Sequence, residues 1–218
     1  MLKLDIGCGA HKRPQFLGVD VVTELGVDVR CDIAVERLPF EDRSAEYIYS
    51  AHCLEHILHG HLLHVFQEMT RVCADGGIIE IWHPHFSHSE ACVFGHVNFL
   101  SEALYDHFGC TYRTNWARHF SGAQWILEEV RYGVDKFVIE DMQNVGIDID
   151  FAVSYFREVV REIGLFIRVD RSGVSAPADY RRSVCVWDDR TTLFCSLSRG
   201  PRRTPLTKRR QAAIMKNE

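Results

Sequence analysis

The chain has 218 residues, of which 46% are hydrophobic and 25% charged, and a net charge of −5. These values are ordinary for a globular protein and predict one domain, or one domain with a cap, that can bury a substantial core. No apolar run reaches the roughly 18 residues that a membrane span needs, so a membrane-spanning protein is excluded.

The charge is unevenly distributed. Residues 199–218 carry seven Lys or Arg and one acid, a net charge of +6, so the preceding 198 residues carry −11. An acidic body argues against a nucleic-acid cleft, and we expect neither a nucleic-acid nor a membrane partner. We interpret 199–218 as a solvated, mobile basic tail, with a partner-binding tail as the alternative.

Eight cysteines are scattered along the chain without a C-x-x-C pair, and several lie in apolar runs. We interpret them as reduced core residues rather than as disulfides or a zinc site. Met1 leads directly into the first predicted strand, so no signal peptide is expected and the predicted location is cytoplasmic.

The first elements in the chain predict a nucleoside site. A strand at about 2–6 runs into the turn Gly7-Cys8-Gly9, and strands at about 16–21 and 27–31 bring Asp20 and Asp32 to their ends. Glycines let a ligand approach the backbone closely. An acid at the end of the next strand can accept hydrogen bonds from a ribose diol, and a third acid can reach an adenine amine. The pattern is typical of one edge of an α/β sheet.

The dinucleotide fingerprint is incomplete, which disfavours NAD. Lys12 stands where a third glycine is needed, and Asp20 comes early for the ribose acid. Pyrophosphate binding also requires a helix N-terminus, and the stretch 11–16 contains Pro14 and is too short for a full helix.

The later elements follow from hydrophobic period and from turn residues. They are a strand at about 46–51, a helix at about 60–73, a strand at 78–82, a short helix from Ser101 to Phe108, a strand at 123–133, a helix spanning Ala152 to Ile163 that stops at Gly164, and a strand at 191–198 paired antiparallel with 123–133.

Several ordered motifs carry a family resemblance. LDIGCG, GVD, CDI, LPF, HCLEHI and RVCADGGIIEI, all within residues 2–82, resemble the successive motifs of class I S-adenosylmethionine-dependent methyltransferases of the small type 11 kind. The resemblance implies a Rossmann-like, doubly wound α/β fold, with a mostly parallel seven-stranded sheet, an antiparallel last strand and a helical or loop cap. It implies one domain over 1–198.

The resemblance also implies S-adenosylmethionine as the cofactor. Gly7 and Gly9 would approach its methionine part, Asp20 its ribose hydroxyls, and Asp32 with the backbone of Ile33 its adenine. Its expected binding set is Asp5, Gly7, Cys8, Gly9, Asp20, Val21, Asp32, Ile33 and His52.

The chain also departs from the family pattern. Helices that precede the first strand in many family members are missing, His11 replaces a small residue of the glycine loop, and the first helix is nearly lost. We therefore expect 83–122 and 133–150 to close over the cofactor as a substrate cap.

Eleven of the twelve histidines fall within 52–119. Ligands bind at the carboxyl ends of strands in open α/β sheets, so His52 after the fourth strand and His83 and His85 after the fifth should border the transferred methyl group. A hydroxyl acceptor gains most from a base that titrates near neutral pH. We expect His85, or else His52 or His83, to be the general base, with Glu55 orienting a histidine or binding a substrate hydroxyl.

Two other interpretations of these histidines stay open. Each named histidine could be a half-buried structural residue. His83 and His85 with His88, Glu90 or Asp106 could instead hold a divalent ion such as Mg²⁺, although their spacing is untidy for zinc, and no metal ligand is assigned.

Aromatic residues interleaved with Asn, Arg and Gln in the expected cap suit a sugar or polyhydroxylated metabolite, unless most are core. The run Gly95-His96-Val97-Asn98-Phe99 resembles an H-V-x-F element of relatives associated with polysaccharide and natural-product pathways. A narrower resemblance is to mycobacterial enzymes that O-methylate mannosides in methylmannose polysaccharide biosynthesis. We therefore expect sugar O-methylation, with a saccharide as the small-molecule partner and a homodimer as an open possibility. The alternatives are a protein or RNA methyltransferase and a non-catalytic cofactor-binding module.

Overall fold

The computed structural model describes residues 2–23, 26–173 and 179–187. The strands in these ranges are β1 Leu2–Ile6, β2 Leu17–Asp20, β3 Val29–Arg30, β4 Ala45–Ala51, β5 Cys73–Pro84, β6 Gln124–Asp135, β7 Glu162–Asp170 and β8 Arg181–Trp187. They form one sheet in the order β3-β2-β1-β4-β5-β7-β6-β8. The α-helices in these ranges are α1 Leu62–Val72, α2 Glu102–Asp106, α3 Arg113–Trp116, α4 Lys136–Val145 and α5 Ile149–Tyr155.

The sheet is mostly parallel, as predicted. β1 pairs in parallel with β2 and β4, and β4 pairs in parallel with β5. β7 is antiparallel to both β5 and β6, and β8 is parallel to β6. The described sheet therefore has eight strands rather than seven, and its antiparallel strand lies inside the sheet rather than last in the chain. The carboxyl ends of β1, β2, β4 and β5 consequently share one edge.

The long helix predicted up to Gly164 is wrong. The chain forms the short helix α5 and then enters β7, which is buried along most of its length. A buried strand has a near-continuous apolar run that periodicity alone cannot tell from a buried helix. Gly164 is required because a Cβ there would lie 2.5 Å from the ring of Trp82 on β5. The strand predicted at 191–198 lies outside the described residues, and β6 takes β7 as its antiparallel partner.

The predicted helix at 60–73 is confirmed as α1, and its residues Val65, Phe66 and Met69 are buried in the core. The helix expected from Ser101 to Phe108 begins as predicted but ends at Asp106 and continues as one turn of π-helix to Thr111. The Ser101 hydroxyl makes no capping hydrogen bond.

The aromatic residues in and next to the expected cap, from Trp82 to Trp125, differ in burial. Tyr105, Phe108, Phe120, Trp125 and Trp82 are buried, and Trp116 is half-buried. Phe86, Phe94, Phe99 and Tyr112 remain exposed, so only part of the aromatic set faces solvent.

The described segment between β1 and β2 contains no helix, and Arg13 fixes this segment to the sheet. Its backbone N–H donates to Asp5 Oδ2 at 2.6 Å, and its Nη1 donates to Glu80 Oε2 at 2.7 Å. Its guanidinium lies over the ring of Tyr49, 4.4 Å from the centroid. One side chain therefore ties the segment after β1 to both β4 and β5. None of the helices in the described part combines the length and apolar character that crossing a bilayer requires.

Candidate functional site

The turn after β1 packs directly against the segment after β4. Gly7 has φ +73°, and a Cβ at this position would collide with Cys53 Sγ. Both the left-handed backbone and the close approach require glycine there. The turn therefore brings the N-terminal motif and the motif that begins at His52 to one edge of the sheet.

Gly9 and Asp20 are joined across that edge. The Gly9 N–H donates to Asp20 Oδ2 at 2.8 Å, and Asp20 Oδ1 accepts from the N–H of Val22 at 3.1 Å. A carboxylate offers about four acceptor sites, so Asp20 retains capacity for a ribose diol. Val21 is 47% exposed beside it.

Asp32 and Ile33 follow β3 in the order expected of an adenine pocket. Asp32 Oδ1 accepts from the Ala34 N–H at 3.0 Å, which makes a tight turn, and Ile33 is buried. The side chain of Asp32 is partly exposed. The turn leaves the backbone of Ile33 next to a carboxylate, as an adenine ring and its amine require.

Asp5 and Cys8 are buried on β1 and in the turn that follows it. Burial raises the pKa of the Asp5 carboxyl, partly offset by the Arg13 N–H that it accepts. Burial also raises the pKa of the Cys8 thiol to about 11, so it remains protonated near neutral pH. By accepting the Arg13 N–H, the Asp5 carboxylate fixes the segment that follows the glycine turn.

The edge suits the cofactor that the motifs imply. At Gly9, with φ +48°, a Cβ would meet nothing within 4 Å, so open space adjoins the loop backbone. The neighbouring groups are a backbone turn, the carboxylate of Asp20 and a turn with an acid at Asp32. They follow one another along the sheet in the order predicted for the methionine, ribose and adenine parts of S-adenosylmethionine.

His52 is held between two carboxylates at the end of β4. Its Nε2 lies 3.2 Å from Glu162 Oε2 and its Nδ1 lies 3.3 Å from Glu55 Oε1. These carboxylates raise the pKa of His52 to about 10. Its backbone has φ +52°, and its N–H donates to the carbonyl of Trp82 at 2.9 Å. His52 is therefore an exposed cation that links β4, β5 and β7.

Glu162 is a site residue that the sequence analysis missed. It is 8% exposed and begins β7, 110 residues away from His52. The apolar period of the residues before it predicts a helix there, which conceals its position at a strand end. The signal that could have revealed it is an acid directly before the apolar run at 163–167.

His83 lies next to the last residue of β5 and is completely buried. Its Nδ1 donates to the carbonyl of Pro84 at 2.9 Å, and its ring stacks on Tyr105 with a centroid distance of 5.6 Å. Burial lowers its pKa to about 4, so the ring is neutral. Its Nε2 has no hydrogen-bond partner among the described residues.

His85 is also buried and neutral. Its Nδ1 lies 2.8 Å from Ser87 Oγ, and Phe86 packs with its ring 4.7 Å away. Burial, followed by the neighbouring His83, lowers the pKa of His85 to about 4. Of the three histidines predicted as the base, His52 is thus exposed and protonated, whereas His83 and His85 are covered and unprotonated.

His83, His85 and His88 do not converge as a metal site. His83 Nδ1 and His85 Nδ1 bond to Pro84 and Ser87, and His88 Nε2 lies 3.4 Å from Glu158 Oε2. The described part of the chain instead groups donor atoms of Glu55, His56 and His96 within 4.8 Å of one another.

Comparison with known proteins identifies a domain in this region. Residues 19–81 match the family model described as a methyltransferase domain. No curated protein matches the chain. The matched range includes Asp20, Asp32, His52 and Glu55.

Solved structures show more distant similarity. One is an S-adenosylmethionine-dependent methyltransferase from Archaeoglobus fulgidus, at 13% identity and TM-score 0.49 over 76% of this chain and 85% of that chain. Another is a putative sarcosine dimethylglycine methyltransferase from Galdieria sulphuraria, at 16% identity and TM-score 0.48 over 78% of each chain. A third is an arsenic(III) S-adenosylmethionine methyltransferase from Chlamydomonas reinhardtii, at 15% identity and TM-score 0.45 over 83% of this chain and 67% of that chain.

Proposed function

We propose that the chain is a class I S-adenosylmethionine-dependent methyltransferase that transfers the methyl group of its cofactor to a hydroxyl of a sugar or polyhydroxylated metabolite. The observation that carries the proposal is the cluster of His52, Glu55 and Glu162 beside the glycine loop. The cofactor supplies an electrophilic methyl group, so the protein has to position the acceptor and remove its proton.

The cluster suits neutral hydroxyl groups. Carboxylate oxygens accept hydrogen bonds from hydroxyls, and an imidazolium donates them, so vicinal hydroxyls can bind between His52 and Glu162. The cluster contains two carboxylates, Glu55 and Glu162, and one cation, His52. Residues 1–198 together carry a net charge of −11. A phosphate-rich acceptor such as RNA would be repelled there.

His85 is our candidate for the general base. A base must be unprotonated when the acceptor arrives, and the lowered pKa of His85 keeps its ring neutral at physiological pH. Hydrogen bonding of Nδ1 with Ser87 orients the ring. His85 is 2% exposed, so the acceptor must displace Phe86, which is 47% exposed and packs on the ring. His83 is the second candidate because its Nε2 has a free lone pair.

The site residues take the following roles in this proposal. Gly7, Gly9, Asp20, Asp32 and Ile33 hold the cofactor, and Asp5, Cys8 and Val21 shape its loop. His52 and Glu162 bind acceptor hydroxyls, and Glu55 orients His52. The segments 83–122 and 133–150 cover the acceptor, and the domain extends over 1–198. Residues 188–218, including the basic tail, lie outside the described residues.

We place the activity in the cytoplasm. The cysteines that the structure describes are free thiols, as a reducing compartment permits. Burial raises the pKa of Cys53 and Cys73 to about 12, which keeps both thiols unreactive.

An acceptor screen tests the proposal. Purified enzyme is incubated with S-adenosylmethionine labelled in its methyl group and with mannosides, other glycosides, cyclitols, small amines or bulk tRNA. We expect label in an alkali-stable methyl ether of a sugar or cyclitol. Label only in tRNA, protein or an amine would overturn the acceptor class. Failure of S-adenosylhomocysteine to bind by calorimetry would instead favour a non-catalytic module.

A further inference from the structure

We propose that Glu55, His56 and His96 form a binding site for one divalent transition ion of the zinc class. One donor atom from each residue lies within 4.8 Å of the others. Glu55 and His56 come from a single turn of 3-10 helix, Leu54–His56, that follows β4. His96 comes from the loop that returns after β5. The site shares Glu55 with the His52, Glu55 and Glu162 cluster but is separate from His83, His85 and His88. It does not depend on the identity of the methyl acceptor.

The state of the Glu55 carboxylate is the first argument for an ion. Glu55 is 2% exposed, and neither of its oxygens has a hydrogen-bond donor among the described residues. His52 Nδ1 approaches Oε1 to 3.3 Å as an ion pair without hydrogen-bond geometry. The imidazolium of His52 is shared with Glu162, so the two buried carboxylates face a single cation. A second cation bound to Glu55 would balance the remaining negative charge.

His96 supplies a second and independent argument. Its Nδ1 is buried and has no hydrogen-bond partner in the described part of the chain. The rings of His56 and His96 meet edge to face, with centroids 4.7 Å apart and an interplanar angle of 77°. Two imidazoles that approach one carboxylate from separate segments are a typical arrangement of metal ligands.

The backbone holds the two ligand segments against each other. The Glu55 carbonyl accepts from the N–H groups of Val97 at 2.8 Å and Asn98 at 3.3 Å. The Asn98 amide donates to the carbonyls of Leu54 and Ile57. The ligands thus lie on a junction that is braced independently of their side chains.

A hydrogen bond to the backbone also fixes the orientation of the His56 ring. Its Nδ1 lies 3.1 Å from the carbonyl oxygen of Gly95, and Gly95 has φ +98°. A proton donated from Nδ1 to that carbonyl leaves the lone pair on Nε2 for a metal. Metal-bound histidines commonly use one ring nitrogen in this way, because the second hydrogen bond sets the tautomer and the ring direction.

The donor set selects the ion class. Imidazole suits Zn²⁺, Co²⁺ and Ni²⁺, whereas Mg²⁺ and Ca²⁺ prefer oxygen ligands alone. Ligands about 2.0–2.1 Å from a tetrahedral zinc ion are about 3.4 Å apart, so any donor pair near the 4.8 Å limit has to approach on binding. The exposed ring of His56 can supply that movement. Three protein ligands leave one position for water or a hydroxyl oxygen.

The test uses untagged, full-length protein treated with chelator and then titrated with Co²⁺ alone. We expect visible Co²⁺ absorption that saturates at one equivalent, is displaced by Zn²⁺ and is unaffected by excess Mg²⁺. His56→Ala, His96→Ala and Glu55→Gln should each weaken binding by more than the roughly 10- to 100-fold that loss of a ligand-orienting residue costs.

His59→Ala and Cys92→Ser are the matched controls, because both residues are exposed and lie outside the cluster. Both should bind Co²⁺ as the parent protein does. Retained binding of S-adenosylhomocysteine by the ligand variants will show that they are folded. Absence of saturable absorption, displacement by Mg²⁺, or unchanged binding in His96→Ala would overturn the proposal.

Discussion

His52 Nε2 lies 3.2 Å from Glu162 Oε2, although the two residues are 110 positions apart in the chain. This contact joins the end of β4 to the start of the antiparallel strand β7. It places a carboxylate and an imidazolium at the edge that also carries the glycine loop.

Replacing Glu162 by Gln should impair acceptor binding. The substitution keeps the side-chain shape but removes the charge facing His52, and a hydrogen bond to a charged group contributes about 1.5–3 kcal/mol. We expect the KM for the acceptor to rise roughly tenfold or more, and the Kd for S-adenosylhomocysteine to stay within about twofold. Glu158→Gln, on an exposed acid paired with His88, is the control. An equal loss of cofactor affinity would show that Glu162 serves the fold instead.

Asp20→Ala should weaken cofactor binding by about 1–3 kcal/mol. The variant loses the acceptor for the ribose and also the bond that Gly9 N–H donates to the loop. Calorimetric titration with S-adenosylhomocysteine measures the change. Asp42→Ala, at an exposed ion pair with Arg71, is the control and should bind normally. Normal affinity in Asp20→Ala would rule out the assigned ribose site.

Gly7→Ala should destabilise the fold by roughly 1–3 kcal/mol or more. The new Cβ would collide with the Cys53 side chain, and φ +73° is strained for alanine. Urea denaturation of the variant checks this expectation. Gly60→Ala provides the comparison, because a Cβ there meets nothing within 4 Å. Equal stability of the two variants would contradict the packing described for the glycine turn.

His85→Ala should reduce kcat about 100-fold or more while cofactor affinity is retained. The reason is the loss of the neutral imidazole that takes the acceptor proton. His59→Ala, which removes an exposed histidine, should leave kcat unchanged. Near-normal turnover in His85→Ala would move the role of base to another residue.

The pH profile of kcat/KM offers an independent test of the same base, because it reports the pKa of groups in the free enzyme. A base with a pKa of about 4 is already unprotonated at neutral pH, so kcat/KM should be flat between about pH 6 and 8 and should fall only as the pH drops toward 4. The charged or titratable groups that act on His85 are His83, Glu102 and His88. A tenfold rise in kcat/KM per pH unit through neutrality would indicate a base with a high pKa instead.

His85 should also make stability depend on pH. Its pKa falls from 6.5 in the unfolded chain to about 4 in the fold, so the unfolded state binds more protons between these values. Stability is therefore complete above about pH 6.5 and is lost as the pH falls toward 4, by about 3 kcal/mol at most. Thermal denaturation of the parent protein and of His85→Gln from about pH 7 to 5 measures this. The variant should lose less stability, and parallel curves would contradict the expectation.

The strand edge that carries Gly7, Asp20 and Asp32 could be predicted from sequence because its determinants are local. A glycine turn after a strand, and acids at the ends of the next two strands, can be recognised within the first 33 residues. The parallel pairing of β1 with β2 and β4 then brings these strand ends together. The same holds for α1, whose apolar face follows the helical period.

Two groups of side chains depend on tertiary structure. They are the cluster of His52, Glu55 and Glu162 and the proposed metal site of Glu55, His56 and His96. Glu162 reaches His52 only because β7 runs antiparallel to β5, and a buried strand has no period that separates it from a helix. His96 reaches Glu55 only because Val97 and Asn98 bond to the Glu55 carbonyl. Such contacts join residues about 40 to 110 positions apart. Local pattern specifies which strand ends carry chemistry, whereas packing alone decides which side chains share a charge and which histidines are sealed from solvent.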